Sequence, residues 1–192
     1  MRVFLAGATG VIGVRLLPLL VAGGHVVAGM TRSPQKASQI AAGGGEPIVC
    51  DVFDGEALRE AVVRFAPEAV VHQLTDLPDA LGELQGYAAA NDRIRTEGTR
   101  NLVAAARAAG ANRFLAQSIA WRPARGGEVV EAHEAQVLAI GGVVIRYGQF
   151  YGPGTFYEDE LPAPPRVSVD EAARATLPLL EAPSGIVTIV DS

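Results

Sequence analysis

Three glycines spaced Gly7-x-x-Gly10-x-x-Gly13 follow the apolar run Arg2–Ala6 and lead into an apolar pattern of helical period. Glycine at a strand end lets the backbone turn sharply and approach a phosphate. The helix behind it presents free N–H groups and the positive end of its dipole. In this context the triplet predicts a cradle for a dinucleotide pyrophosphate, built from Gly7, Thr9, Gly10, Val11, Ile12 and Gly13. A tight strand–helix turn without a ligand is the competing reading. The second strand-like run ends in Thr31-Arg32-Ser33, with no acidic residue beside it in sequence. An acidic residue there would take a ribose 2′-hydroxyl, whereas an arginine accommodates a 2′-phosphate, so NADP is expected rather than NAD. Lys36 adds to the same positive patch; the alternative is that Arg32 is a solvated helix-start residue. Asp51-Val52 and His72-Gln73-Leu74-Thr75 follow the next two strands, at the edge where ligands sit in such sheets. Asp51 is placed to meet an adenine amino group, and Val52, Leu74 and Thr75 to line the cofactor. His72 itself is expected to be a buried, hydrogen-bonded core residue.

Positioning these groups requires an alternation of strand and helix, and the chain has one. Strand-like runs at Arg2–Ala6, His25–Thr31, Pro47–Cys50, Ala69–His72, Asn112–Gln117, Gly142–Tyr147 and Gly185–Val190 are separated by helical patterns. The helices are expected at Val11–Ala22, after Ser33-Pro34, from Asp54 to Phe65, over 79–109 with a break near Gly82–Gly86, near Glu131–Ile140, and at Val169–Leu180. The strands are continuous apolar runs, which fits a parallel sheet covered on both faces. The proline-containing stretch 148–168 reads as a loop. The expectation is therefore a single α/β domain over 1–192, a Rossmann-type doubly wound parallel sheet of about seven strands.

The chain has 192 residues, 49% hydrophobic, enough for one sizeable core. A net charge of −5 with interspersed signs speaks against a nucleic-acid partner. Cys50 is the only cysteine, so no intramolecular disulfide or thiolate metal cluster can form, and no metal site is expected. No stretch reaches about 18 uncharged apolar residues, and the N-terminal run has the glycine-rich character of the fold rather than of a signal peptide. A cytoplasmic protein without membrane attachment is expected.

Taken together, GATGVIG (7–13), CDV (50–52), VVHQLT (70–75), EGTRNLVAAARAAGANRFLAQS (97–118), IRYGQFYGPG (145–154) and VSVDEAARATL (167–177) resemble the extended short-chain dehydrogenase/reductase family, the NAD(P)-dependent epimerases and dehydratases. The motifs run in order over almost the whole chain. The resemblance implies the Rossmann fold, a nicotinamide cofactor and a catalytic Tyr-x-x-x-Lys pair with a serine or threonine after the fifth strand. Ser118 falls at that serine position, where it would either polarise a carbonyl or merely cap the strand. The pair itself is missing. Lys36 is the only lysine, and none of Tyr87, Tyr147, Tyr151 and Tyr157 has a lysine four residues on. By position the pair would stand about Gly126–Val130. His133 is expected on a helix surface, and Tyr151 near the nicotinamide end. The segment 154–167, where the family inserts much of its substrate lobe, is strongly reduced.

The resemblance also implies a homodimer through the helices at 79–109, with Leu81, Leu84, Leu102, Val103 and the alanine-rich run 104–109 either at that interface or against the chain's own sheet. Two functions stay open. One is an NADP-dependent oxidoreductase or epimerase-like enzyme acting on an unknown small molecule with a non-standard proton donor. The other is a non-catalytic NADP-binding redox sensor or regulatory module.

Overall fold

The computed structural model describes residues 1–78 and 81–191. Seven strands form one parallel sheet: β1 (Arg2–Ala6), β2 (Val26–Thr31), β3 (Glu46–Val49), β4 (Ala69–His72), β5 (Arg113–Ile119), β6 (Val143–Tyr147) and, last in the chain, β9 (Gly185–Ile189). Their order is β3-β2-β1-β4-β5-β6-β9, with every pair parallel. The chain runs outward from β1 to β3 and then crosses back to β4, so the direction of winding reverses beside β1. Ligands bind at such a switch point, outside the carboxyl ends of the strands.

Alternate residues of the strands enter two cores. On one face Val3, Leu5, Val27, Val71, Leu115 and Ile145 pack against α1 (Gly13–Ala22) and α7 (Val169–Thr176). On the other Phe4, Ala28, Met30, Val70, Phe114 and Val144 meet α3 (Gly55–Phe65) and α5 (Thr99–Ala108). The inner strands β1, β2, β4, β5 and β6 bury both faces, which is why they read as apolar runs, while the edge strands β3 and β9 stay partly exposed. Asp54 caps α3 by accepting from the Ala57 N–H at 3.1 Å, as its position before the apolar pattern predicts. Short α2 (Ala37–Ala42) follows a single 3₁₀ turn that starts at Pro34. The helical region expected over 79–109 resolves into α4 (Leu84–Arg93), a π-helical turn Ile94–Gly98, and α5; its start at Asp79 and Ala80 lies outside the described residues. Leu102, Val103, Ala105 and Ala106 are buried in the chain's own second core, while Leu81 is exposed. Among the described residues no helix is long and apolar enough to cross a membrane.

The stretch 148–168 is not all loop. β7 (Gln149–Tyr151) and β8 (Arg166–Ser168) form a small parallel pair of their own. Gly148 makes this possible, because a Cβ there would lie 2.6 Å from the Arg166 backbone. Three-residue strands beside prolines carry no periodicity, so nothing in the sequence marks them as strands. A last difference is α6 (Gly127–Leu138), which begins a full turn before the expected Glu131, immediately after Gly126.

Candidate functional site

The carboxyl ends of β1, β2, β4, β5 and β6 open into one cavity of about 640 Å³. Its lining includes Gly7, Thr9, Gly10, Val11, Ile12, Thr31, Arg32, Asp51, Val52, Leu74, Thr75 and Ser118. Gly13 is the one residue of the expected set that does not line it.

The three glycines have three different reasons to be glycine. Gly7 sits at φ +87°, and a Cβ on it would stand 2.7 Å from the Gln73 carbonyl oxygen. Gly13 packs the helix start onto the loop so closely that its Cβ would fall 2.1 Å from Gly7 O. Gly10 faces the cavity, where a side chain would fill the cradle. The loop is held from below: Ala8 N–H donates to Met30 O at 3.1 Å, and the hydroxyls of Thr9 and Thr31 bond at 3.0 Å. Among the described residues the N–H groups of Val11, Ile12 and Gly13 find no acceptor. Free amides at a helix start, glycines that admit a close approach and a dipole end of the right sign fit a pyrophosphate. A second orphan lies further along. Gln73 Oε1 is buried and without a partner, in the wall of the cavity. A buried acceptor left bare is costly, and a hydrogen-bond donor on a bound dinucleotide would satisfy it.

At the β2 end of the cavity Arg32 is not free. Its guanidinium donates to both carboxylate oxygens of Asp76, at 2.9 and 3.1 Å. The bonds to Asp76, opposed by partial burial and helped by its charge, raise the arginine pKa. No acid is near Arg32 in sequence, but the fold brings Asp76 across from the β4 loop, where Asn91 Oδ1 accepts its backbone N–H at 3.2 Å. Lys36 lines the same end, and Asp51 holds its own loop by accepting from Phe53 N–H at 2.9 Å. Burial raises the pKa of the Cys50 thiol, which also lines the cavity.

The β4–β5–β6 end is a set of closed hydrogen-bond chains. His72 is buried, as expected. Its Nδ1 accepts from Leu74 N–H at 3.2 Å, so Nε2 carries the proton and donates to Thr99 Oγ1 at 3.1 Å. Thr99 in turn donates to His133 Nδ1 at 2.8 Å, and His133 Nε2 donates to Gln117 O at 2.9 Å. His133 is therefore not a surface residue; it is 1% exposed, its ring edge-on to His72 at 5.5 Å. Val130, His133, Glu134 and Val137 all lie on the buried face of α6, the 3–4 spacing that could have revealed it. Burial, joined by repulsion between the rings and from Arg95, drives the His72 pKa well down. Burial also lowers that of His133.

Ser118 belongs to a second chain. Its hydroxyl donates to Glu134 Oε1 at 2.5 Å, and Arg146 grips both oxygens of Glu134 at 2.9 and 2.6 Å. Burial opposes ionisation of Glu134, but the bonds from Arg146 and Ser118 outweigh it and pull the carboxyl below its ordinary pKa. A third chain runs from Gln73 Nε2 to the Tyr147 oxygen at 3.2 Å, from Tyr147 O–H to Thr176 Oγ1 at 2.6 Å, and from Thr176 to Ala172 O at 2.7 Å. Burial pushes the Tyr147 phenol up to about 12.

The position of the missing pair is a left-handed Gly126, facing Asp92, and a buried Val130. Tyr151 stands in β7, where the Asp191 carboxylate raises its pKa, and Tyr157 takes the cavity wall instead. The Tyr157 hydroxyl donates to neutral Gln149 Oε1 at 3.4 Å.

A parallel sheet with this strand order, a glycine cradle after β1 and a cavity across the switch point define a dinucleotide-binding Rossmann protein. The chain belongs to the NAD(P)H-binding family, whose model matches residues 7–133. It is 40% identical over 182 aligned residues to a 3-diazoavenalumate denitrifying reductase from a Streptomyces species. That match takes in 82% of this chain, and the chain spans 59% of the reductase's length. The fold is shared with UDP-glucose 4-epimerase from Thermus thermophilus, solved with NAD, at a TM-score of 0.80, 19% identity, and coverage of 99% of this chain and 78% of that one. The Bordetella bronchiseptica enzyme WbmH, also solved with NAD+, superposes with a TM-score of 0.79 at 18% identity, over 99% of this chain and 75% of that one. The expected likeness to the extended short-chain dehydrogenase/reductase fold therefore holds.

Proposed function

We propose that this chain is an NADP(H)-dependent reductase that delivers hydride to acceptors whose reduced form needs no proton from the protein. One observation carries the reading. The cofactor cradle is intact, while the hydroxyl protons of Ser118 and Tyr147 and the ring nitrogens of His72 and His133 are each committed to a fixed partner. An epimerase-like cycle, or reduction of a simple ketone, needs a group that gives or takes a proton at the reacting carbon or oxygen. Tyr157 faces the cavity but has only an amide for company. The 40% identical relative is named as a reductase that removes nitrogen from a diazo compound, a reaction of the kind this site suits.

Bound NADPH would supply the hydride. Hydride gained at a diazonium carbon would release N₂, and a quinone gaining hydride would take its proton from water. The chain's own residues bind and orient. Val11, Ile12 and Gly13 N–H groups would hold the pyrophosphate, and Gln73 Oε1 a donor further along. Arg32 and Lys36 favour a 2′-phosphate, and Asp51 is placed for the adenine amino group, with Thr9, Thr31, Val52, Leu74 and Thr75 as the surrounding wall. Ser118, held by Glu134, keeps an oxygen lone pair toward the cavity as a positioning group.

The test is loss of NADPH absorbance with two panels. Quinones and aryl diazonium salts should be reduced, whereas simple aldehydes and keto-sugars should not. Tight NADPH binding with no oxidation on either panel would establish the sensor reading instead, and turnover confined to keto-sugars would overturn the proposal.

A further inference from the structure

The cavity carries one cation that the cofactor reading leaves unused. Arg95 lies on the π-helical turn between α4 and α5 and lines the cavity with a side chain 21% exposed. Its nearest carboxylate, Asp92, is 3.8 Å away, beyond hydrogen-bond reach, and among the described residues its guanidinium makes no hydrogen bond. Burial lowers its pKa, and Asp92 restores only part of the loss. A half-buried guanidinium with five donors and no acceptor is a site for an anion. The π-helical turn is an inserted residue's worth of helix, of the kind that recurs at functional sites. It also lies at the reacting end, because the charge of Arg95 is felt by both His72 and His133 below β4 and β5.

The surroundings define the rest of the ligand. Leu77, Leu81, Trp121, Phe150, Phe156 and Tyr157 line the same cavity. Leu77, Leu81 and Trp121 are 42%, 43% and 38% exposed, a large apolar area left open at its rim. Apolar and aromatic walls with a single convergent charge describe a small-molecule site.

We propose that Arg95 and this aromatic wall form a binding site for a planar aromatic carboxylate, with the guanidinium receiving the carboxylate and Trp121 and Tyr157 covering the ring. It rests on the reductase reading for its place in the reaction, as the substrate's anchor, but not for its binding chemistry. Asp92 tempers the anchor. Its charge lowers the affinity of Arg95 for a second anion, and its removal leaves Arg95 fully available.

The experiment is calorimetric titration of the protein, with and without saturating NADP, using benzoate, cinnamate and indole-3-acetate, each paired with its neutral amide. In the wild type at least one carboxylate should bind on the order of tenfold more tightly than its amide, as expected for a charge-assisted bidentate contact. Arg95→Gln should bring that ratio to about one while the NADP Kd stays within about twofold, and Arg95→Lys should restore part of it. Asp92→Asn should tighten the carboxylate several-fold, which keeps the proposal testable if Arg95→Gln does not fold. Equal binding of acid and amide, no binding of any pair, selectivity that survives Arg95→Gln, or an equal loss of NADP affinity in that variant each overturns it. Carboxylate binding without NADPH oxidation would leave this site standing and remove the reductase reading.

Discussion

The two ends of the cavity are built on opposite principles. At the glycine-loop end the backbone supplies the candidate binding groups: free N–H groups, a helix dipole and glycines whose side chains are excluded by contacts of 2.1 and 2.7 Å. At the β4–β5–β6 end side chains dominate, and they bind one another. Imidazole, threonine, serine, glutamate, arginine and tyrosine close into chains that commit the protons of Ser118, Tyr147, His72 and His133 to one another and to the backbone. The first end tolerates little variation because its function is geometric. The second holds rigid positions without the tyrosine–lysine pair that the resemblance implies as its general acid.

The sharpest way to break this contrast is at Gly13. Gly13→Val drives a side chain into Gly7 O and should lower NADPH affinity at least 100-fold while costing on the order of 3 kcal/mol, read by titration and by urea unfolding. Retained affinity would mean the cradle is not where the cofactor sits. Arg32→Ala should weaken NADP by about 1.5–3 kcal/mol and leave NAD nearly unchanged, since only the 2′-phosphate makes a charge-assisted bond there. An equal loss for both cofactors would contradict the 2′-phosphate assignment. On the other side, Glu134→Ala leaves Arg146 and Ser118 without their acceptor. Because Arg146 is 39% exposed and can rehydrate, the expected cost is about 2 kcal/mol rather than that of a fully buried pair. NADP affinity should stay as it was.

A pH titration separates two of the hydrogen-bond chains at the β4–β5–β6 end. His72 and His133 have folded pKa values below the ordinary one of about 6.5, so the unfolded chain binds more protons than the folded one as pH falls. Their neutral pairing contributes its full stability above about pH 6.5 and loses it below, with a slope of up to about 1.4 kcal/mol per pH unit for each ring. The depressed carboxyl of Glu134 adds a loss only at lower pH, below about 4.3. His72→Gln should flatten the first limb of a stability profile and leave the second. The smallest effect is expected at Asp76. Asp76→Asn frees Arg32 from its ion pair and should raise the preference for NADP over NAD a few-fold, an amount typical of an exposed pair.

How far the sequence reveals each end follows from the same contrast. Gly7, Gly10 and Gly13 stand at a fixed spacing after a strand, and Asp54 caps a neighbour three residues on, so a local pattern suffices even though the contact that demands glycine at 7 comes from Gln73 beyond β4. The strands are legible because a buried parallel strand must be an apolar run. Arg32 can be placed, but not Asp76, because their pairing spans 44 residues and depends on β2 and β4 flanking β1. His133 escapes a local reading because Gly126-Gly127 hides the start of α6, and without that turn the buried face at 130, 133, 134 and 137 is cut short. Arg95 gives no signal of its own. A single arginine in a helix rich in charge looks solvated until the π-helical turn brings it to the cavity.

The proposed transfer of hydride without a proton from the protein can be measured in isolation. Single-turnover oxidation of saturating NADPH by a quinone, followed from about pH 7 to 9.5, reports on that step alone. The rate should not change across the range, and NADPH deuterated at the transferred position should show a primary isotope effect. A limb with an apparent pKa inside the range, abolished by replacing Tyr157 or Ser118, would contradict it.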